Sequence, residues 1–157
     1  MPRFIEIDFV GTGVVGRVEM LDEEAPRTCA AIWECLPKSG PGSHAMYSGT
    51  VGALFLDDDT IGADIGEENA TSNVQTGDVM FTHYDQGKRH GHHFPLAEIY
   101  WAYDRYVRPT IPGQHLPAIA NVFARVVGSP AEVAAFNDMS RRLHSEGFKP
   151  IEIRRAR

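Results

Sequence analysis

The chain has little of what usually announces a chemistry. It carries 2 cysteines, Cys29 and Cys35. Their spacing puts both on one expected helix, where successive residues turn by about 100°, so the two side chains diverge. That excludes a disulfide framework and fits a reducing compartment. Positive charge is not in surplus: 15 Lys and Arg face 21 Asp and Glu, a formal net charge of −6. A general binder of nucleic acid or of an anionic membrane is therefore not expected. No apolar run approaches the roughly 20 residues that a membrane helix needs. The opening MPRFIEIDFV has acidic residues inside its apolar pattern and no long apolar core, so it does not read as a signal peptide. The expected location is the cytoplasm, and the Asn69-Ala70-Thr71 sequon is then a chance match. Repeats, low-complexity tracts and linkers are missing too. Residues 1–157 are expected to form one domain with a buried core.

What is present is alternation. In FIEIDF, Ile5, Ile7 and Phe9 face one way and Glu6 and Asp8 the other, the pattern of a half-buried strand. Gly11-Thr12-Gly13 then supplies turn chemistry, and VVGRVEML reads as a second strand, making residues 3–21 a hairpin. A helix is expected over 26–36. Pro26 suits its first turn, Glu23 and Glu24 lie near its positive end, and Cys29, Ile32, Trp33 and Leu36 form its apolar stripe. Pro37 stops it, because a residue before proline resists the α region. KSGPGS reads as a loop. Strands are expected over 50–56, 77–84, 95–103 and 119–127, with a long polar, Gly-rich excursion between the first two. A second helix over 130–146 carries the clearest local signal. Ser129 is its N-cap, Pro130 sits at N1 and Glu132 completes a capping box, while Val133, Phe136, Met139 and Leu143 share a face and Gly147 ends it. KPIEIR closes the chain as a strand. Two helices that do not alternate with the strands argue for an antiparallel barrel, not a doubly wound parallel sheet.

The run EEAPRTCAAIWECLP resembles the acidic-Ala-Pro-x-Thr entry into the first helix of cyclophilins. VFARVVGSPAEVAAFNDM and KPIEI resemble their second helix with its flanking strands. The resemblance implies a mostly β fold: a closed antiparallel cyclophilin-like β-barrel with two packed α-helices. The middle of the chain lacks the prolyl-isomerase signature, and no catalytic arginine carries over to Arg105 or Arg108. HAMYSG and EENATSNVQTGDVMFTH resemble instead a family of uncharacterised bacterial proteins that keep such a barrel.

Four groups bear on chemistry. KRHGHHF places His90, His92 and His93 in one short loop. With His83 from the preceding strand, His90 and His92 form a three-histidine set that suits Zn²⁺. Gly87 and Gly91 make that loop too supple for a rigid ligand shell, so it reads first as a solvated tip, with no metal and no cofactor expected. The second group, His44, Tyr47, Glu68 and Asn69, combines an acid–base candidate with polar atoms on long barrel connections. The third is the strand around Tyr100. Trp101 and Tyr103 share a face with Ile99 and read as core, whereas Tyr100 shares the other face with Glu98, a face suited to a ligand or a second subunit. The fourth is Asp57, Asp58 and Asp59, three carboxylates without the spacing of a calcium loop. GTGVVG fits a dinucleotide fingerprint in letters alone, because no helix follows it.

The expected function is binding, with possible turnover, of a small polar molecule in a pocket formed by barrel loops. His44 and His83 are the acid–base candidates, and Tyr47, Glu68 and Asn69 the ligand-binding ones. The competing readings are an interaction or self-associating module, a prolyl isomerase, and a zinc hydrolase built on His83, His90 and His92.

Overall fold

The structure is a computed structural model that describes residues 1–58, 60–84, 96–110 and 118–157. The described elements run β1 (Phe4–Phe9), β2 (Val14–Met20), α1 (Pro26–Cys35), β3 (Lys38–His44), β4 (Gly49–Phe55), β5 (Ala70–Thr71), β6 (Asp78–Tyr84), β7 (Leu96–Val107), β8 (Ala120–Val127), α2 (Pro130–Glu146) and β9 (Lys149–Arg155). Strands pair in the order β2-β1-β9-β3-β4-β7-β6-β8, and β8 returns to β2, so eight strands close on themselves. The pairings are antiparallel throughout. The two-residue β5 pairs with the start of β8, at Ala120 and Asn121, ahead of the stretch Ala124–Val127 that pairs with β2. The expected mostly β barrel with two helices is the fold observed. No described helix is long and apolar enough to cross a membrane.

Alternation fills the interior. Ile5, Ile7 and Phe9 of β1 are fully buried, as are Val79 of β6, Ile99 and Trp101 of β7 and Phe123 of β8. Because strand neighbours point to opposite faces, each of these sits between residues that face outward. Helix α2 lays Phe136 against Phe9 and Trp101, with ring centroids 5.7 and 6.1 Å away. Trp101 Nε1 donates to Ser140 Oγ at 2.9 Å, and Ser140 Oγ donates to the Phe136 carbonyl at 2.9 Å. The indole is thus buried with its one polar group satisfied. The wall gives way to these rings: a Cβ on Gly52 would lie 2.5 Å from the Trp101 ring.

The capping box of α2 is present in full, with Ser129 and Glu132 exchanging bonds. In α1, Cys29 and Ile32 are buried with Leu36 beyond its end, and Leu36 is extended before Pro37, as the steric argument requires. One expectation fails: KSGPGS is not a loop but most of β3, paired with β9 from Lys38 to Gly42. Its residues have weak strand preference. Gly42 is nevertheless needed there, because a side chain would collide with Ile151. Strand β7 also runs on to Val107, well past the expected end at 103.

Candidate functional site

The outer face of the same wall is built differently. Register places Ser43 beside Ala53, Ala53 beside Tyr100, and Glu98 beside both Phe55 and Thr82. These outward side chains alternate with the core residues of the same strands. Several are small, so the face does not fill. A cavity of about 210 Å³ lies over it, floored by Ala53, Glu98 and Tyr100 and walled by Phe55 and Tyr84. Tyr47, Ser48, Pro109, Thr110 and Ala118 complete the described rim. That space is worth about seven waters, enough for a small molecule.

The polar groups here are buried and ordered. Glu98 is 6% exposed and Tyr100 is 3% exposed. The Tyr100 hydroxyl and Thr82 Oγ1 share a hydrogen bond of 2.6 Å. Tyr84 Oη donates to Glu98 Oε1 over a longer 3.4 Å. Ser48 Oγ accepts from the Thr110 amide at 3.3 Å, tying two rim segments together. Phe55 and Tyr47 are 41% and 63% exposed, so two aromatic side chains stand at the rim in contact with solvent.

Of the residues expected to bind a ligand, Tyr47 is in this cavity. His44 borders it, but its ring belongs to the opposite face. His44 pairs with Gly52, which pairs with Trp101, so its side chain shares the inner side of the wall. There its Nε2 bonds the buried Tyr103 hydroxyl at 2.8 Å, and its ring centroid is 4.7 Å from that of His144 on α2. Its Nδ1 is buried with no partner among the described residues. Burial, then the neighbouring His144, holds the imidazole below its ordinary pKa. Burial likewise pushes the Tyr103 phenol up.

Glu68 and Asn69 are engaged elsewhere. Helix α1 has no side-chain cap from its own N-cap residue, Ala25. Glu68 takes that place from a distance: it accepts from the Thr28 amide at 2.7 Å, Thr28 Oγ1 at 2.8 Å, and the Arg27 amide and Nε at 3.2 Å each. Burial pushes its carboxyl up, but these donors outweigh burial and hold it below the ordinary range. Asn69 adopts a left-handed φ of 45° and donates from Nδ2 to the Val122 carbonyl at 2.8 Å. Both residues pin the excursion to α1 and β8, and neither lines the cavity of Glu98.

His83 lies apart from His44. It lines a second concavity with Gly62, Gly66, Glu67, Thr82 and Asn121. The expected β6–β7 pairing that would bring it to the His-rich loop is present. His90, His92 and His93 lie outside the described residues, as does Asp59. Among the described residues, no three His, Cys, Asp or Glu side chains gather as a metal site. Asp57 pairs with Lys38 and Asp58 accepts from Thr60, which accounts for both as turn carboxylates. Cys29 and Cys35 are free thiols, pushed by burial up to about 12 and about 11, which suits packing and not nucleophilic attack.

Glu98 was the residue that sequence reasoning undervalued. Its signal was the alternation in LAEIYWAY, which puts one acid beside Tyr100 on the face away from Trp101. Alternation marks that face as suited to a ligand or a second subunit, and rim segments from distant parts of the chain cover it.

Three comparisons bear on the chain. A family model described as "Protein of unknown function (DUF3830)" matches residues 7–154. No curated protein matches. Among solved structures, one is similar with a TM-score of 0.68 at 18% identity, described as McbB in complex with tryptophan. The match covers 96% of this chain and 44% of that one, so the chain spans under half the length of this neighbour. The solution structure of the hypothetical protein AF2241 from Archaeoglobus fulgidus is similar with a TM-score of 0.59 at 22% identity, covering 99% of this chain and 95% of that one. At these identities the likeness is one of fold.

Proposed function

The chain belongs to the DUF3830 family, whose description states no activity, and we propose from the cavity itself that it binds a small polar molecule on the outer face of β3, β4, β7 and β6. The observation that carries this reading is Glu98. Its buried carboxylate accepts from the Tyr84 hydroxyl and stands with the Tyr100 hydroxyl at a hollow floored by the small side chain of Ala53, so fixed polar groups gather where space is left. Pockets that hold small molecules have this form: apolar walls with a few fixed polar groups. The cyclophilin-type kinship is part of the same proposal, supported by eight closed strands and two helices placed where that pattern sets them.

Self-association through the Tyr100 face loses its motive, because Tyr100 is buried under its own chain. The acid–base role of His44 is not part of the reading, since its ring faces Tyr103 and α2. The test is a ligand screen with a blocked variant. Small polar metabolites, tryptophan among them, are added to wild type and to Ala53→Leu, which fills the floor of the cavity. A true ligand at 100 times its Kd adds about 2.7 kcal/mol to wild-type stability. The variant should stay folded and lose that response. Equal responses in both proteins, or none from any compound, would defeat the proposal.

A further inference from the structure

Among the described residues, two buried side-chain polar atoms have no hydrogen-bond partner: His44 Nδ1 and Thr50 Oγ1. They belong to one corner of the wall. His44 faces Gly52 across the β3–β4 pair, and the Ala45 amide continues that pairing to the Val51 carbonyl at 2.9 Å. Thr50 and Gly52 flank Val51, so Thr50 lies diagonally across from His44 on the inner face. Here β7 bulges, with Ala102 opposite Val51 but Val107 opposite Gly49. A buried polar atom left unpaired costs free energy, and two at one corner point to a common guest.

His44 and its neighbours indicate what that guest is. His44 Nε2 meets the Tyr103 hydroxyl at 2.8 Å. When Nε2 carries the proton and donates to that oxygen, Nδ1 presents a lone pair, which is how a metal-bound imidazole is oriented by its outer partner. The ring of His144 lies 4.7 Å away, tilted by 56° and not stacked in parallel. His144 is exposed, which gives an ion a way in from solvent. It stands in the last turn of α2, where the helix dipole favours a cation. The positive charge of Arg141, which reaches over Tyr103, is offset by its ion pair with Asp104.

We infer that His44 Nδ1 and the His144 imidazole bind a divalent transition-metal ion, of the class that favours imidazole nitrogen (Zn²⁺, Ni²⁺, Cu²⁺), where β3 meets α2. Water fills the remaining positions, and the Thr50 hydroxyl holds one of those waters. The site is on the opposite face of the wall from the outer cavity and stands whether or not that cavity takes a ligand.

Zinc titration tests it, read by calorimetry on the whole chain carrying His90→Gln, His92→Gln and His93→Gln, so that the loop histidines do not compete. Zn²⁺ should bind, and Mg²⁺ should not, because it prefers oxygen ligands. Adding His144→Gln, at an exposed position, should weaken Zn²⁺ binding by roughly 10-fold or more. In the wild-type chain, nitrogen NMR of the imidazoles should show zinc moving the Nδ1 signal of His44, and this reading decides the matter even where the loop variant does not fold. No zinc binding, equal binding after His144→Gln, or zinc shifts confined to other histidines would overturn the inference and leave water as the partner of both atoms.

Discussion

The two faces of one wall, strands β4, β7 and β6, are made from alternate residues of the same segments, and they are filled to different extents. On the inner face Trp101, Phe81 and Leu54 are large and fully packed, and glycine is used where a ring presses on the backbone. On the outer face Val51, Met80 and Ala102 pack into a second, smaller cluster, and beside it Ala53 and Glu98 line a hollow where space is left. The inner face is stabilised by filling. The outer face is covered by chain from outside the sheet: the turn at Met46–Ser48, and Pro109, Thr110 and Ala118. A wall of this kind separates a packed core from an open hollow by one residue in sequence.

That separation can be broken most severely from the inside. Trp101→Ala should cost about 3–5 kcal/mol, because it opens a large cavity and removes the donor to Ser140. Urea unfolding measures it, and a loss below 1 kcal/mol would mean that the inner face is not the packed core described here. Gly52→Ala comes next. Its methyl group meets the indole at 2.5 Å, so overpacking of about 1–3 kcal/mol is expected. The neighbouring Ala53→Leu adds more atoms yet should cost less than about 1.5 kcal/mol, because they enter open space. If the order of these two adjacent substitutions is reversed, the contrast between the faces is wrong.

The helices supply a second contrast, and with it the limit of what the sequence reveals. The cap of α2 is local: Ser129 and Glu132 are three residues apart and satisfy each other. Such a pattern is legible, as are the β1 and β9 alternations and the β6–β7 hairpin. The cap of α1 comes from Glu68, 40 residues from Thr28. No spacing rule reaches that far, so Glu68 looked like a ligand group and the nearby Glu23 and Glu24 looked like the dipole partners. The same holds for β3, whose Gly and Pro residues favour a turn until Ile151 is known to press on Gly42. The outer cavity was half legible. Alternation placed Glu98 with Tyr100, but the cover over them depends on tertiary closure, which turns an exposed face into a buried one.

Glu68→Gln tests the distant cap. The amide keeps the shape but offers one fewer acceptor oxygen and no charge to Thr28, Arg27 and the helix dipole. The loss should be about 1 kcal/mol. In wild type the folded carboxyl lies below its ordinary value, so this contribution is present above the ordinary glutamate range and fades as pH falls through the folded value. The variant should therefore lose less stability than wild type between pH 6 and acid. Parallel pH curves would show that Glu68 caps nothing.

The smallest effect sits where the inner face meets α2. His44, on β3, faces Tyr103 of β7 and His144 of α2, with Arg141 stacked over Tyr103 and paired to Asp104. Burial and His144 both disfavour a proton on His44, so its folded pKa lies below the ordinary value near 6.5. As pH falls through that ordinary value the unfolded chain takes up the proton first. Stability is then full above about 6.5 and declines below it, levelling once the folded pKa is passed. His144→Gln removes one of the two causes and leaves burial. The decline between pH 8 and 5 should become shallower by roughly a few tenths of a kcal/mol, since His144 is exposed and screened by salt. Urea midpoints at both pH values, in both proteins, measure this. Identical slopes would mean that the two rings touch without coupling, and that burial alone sets the charge of His44.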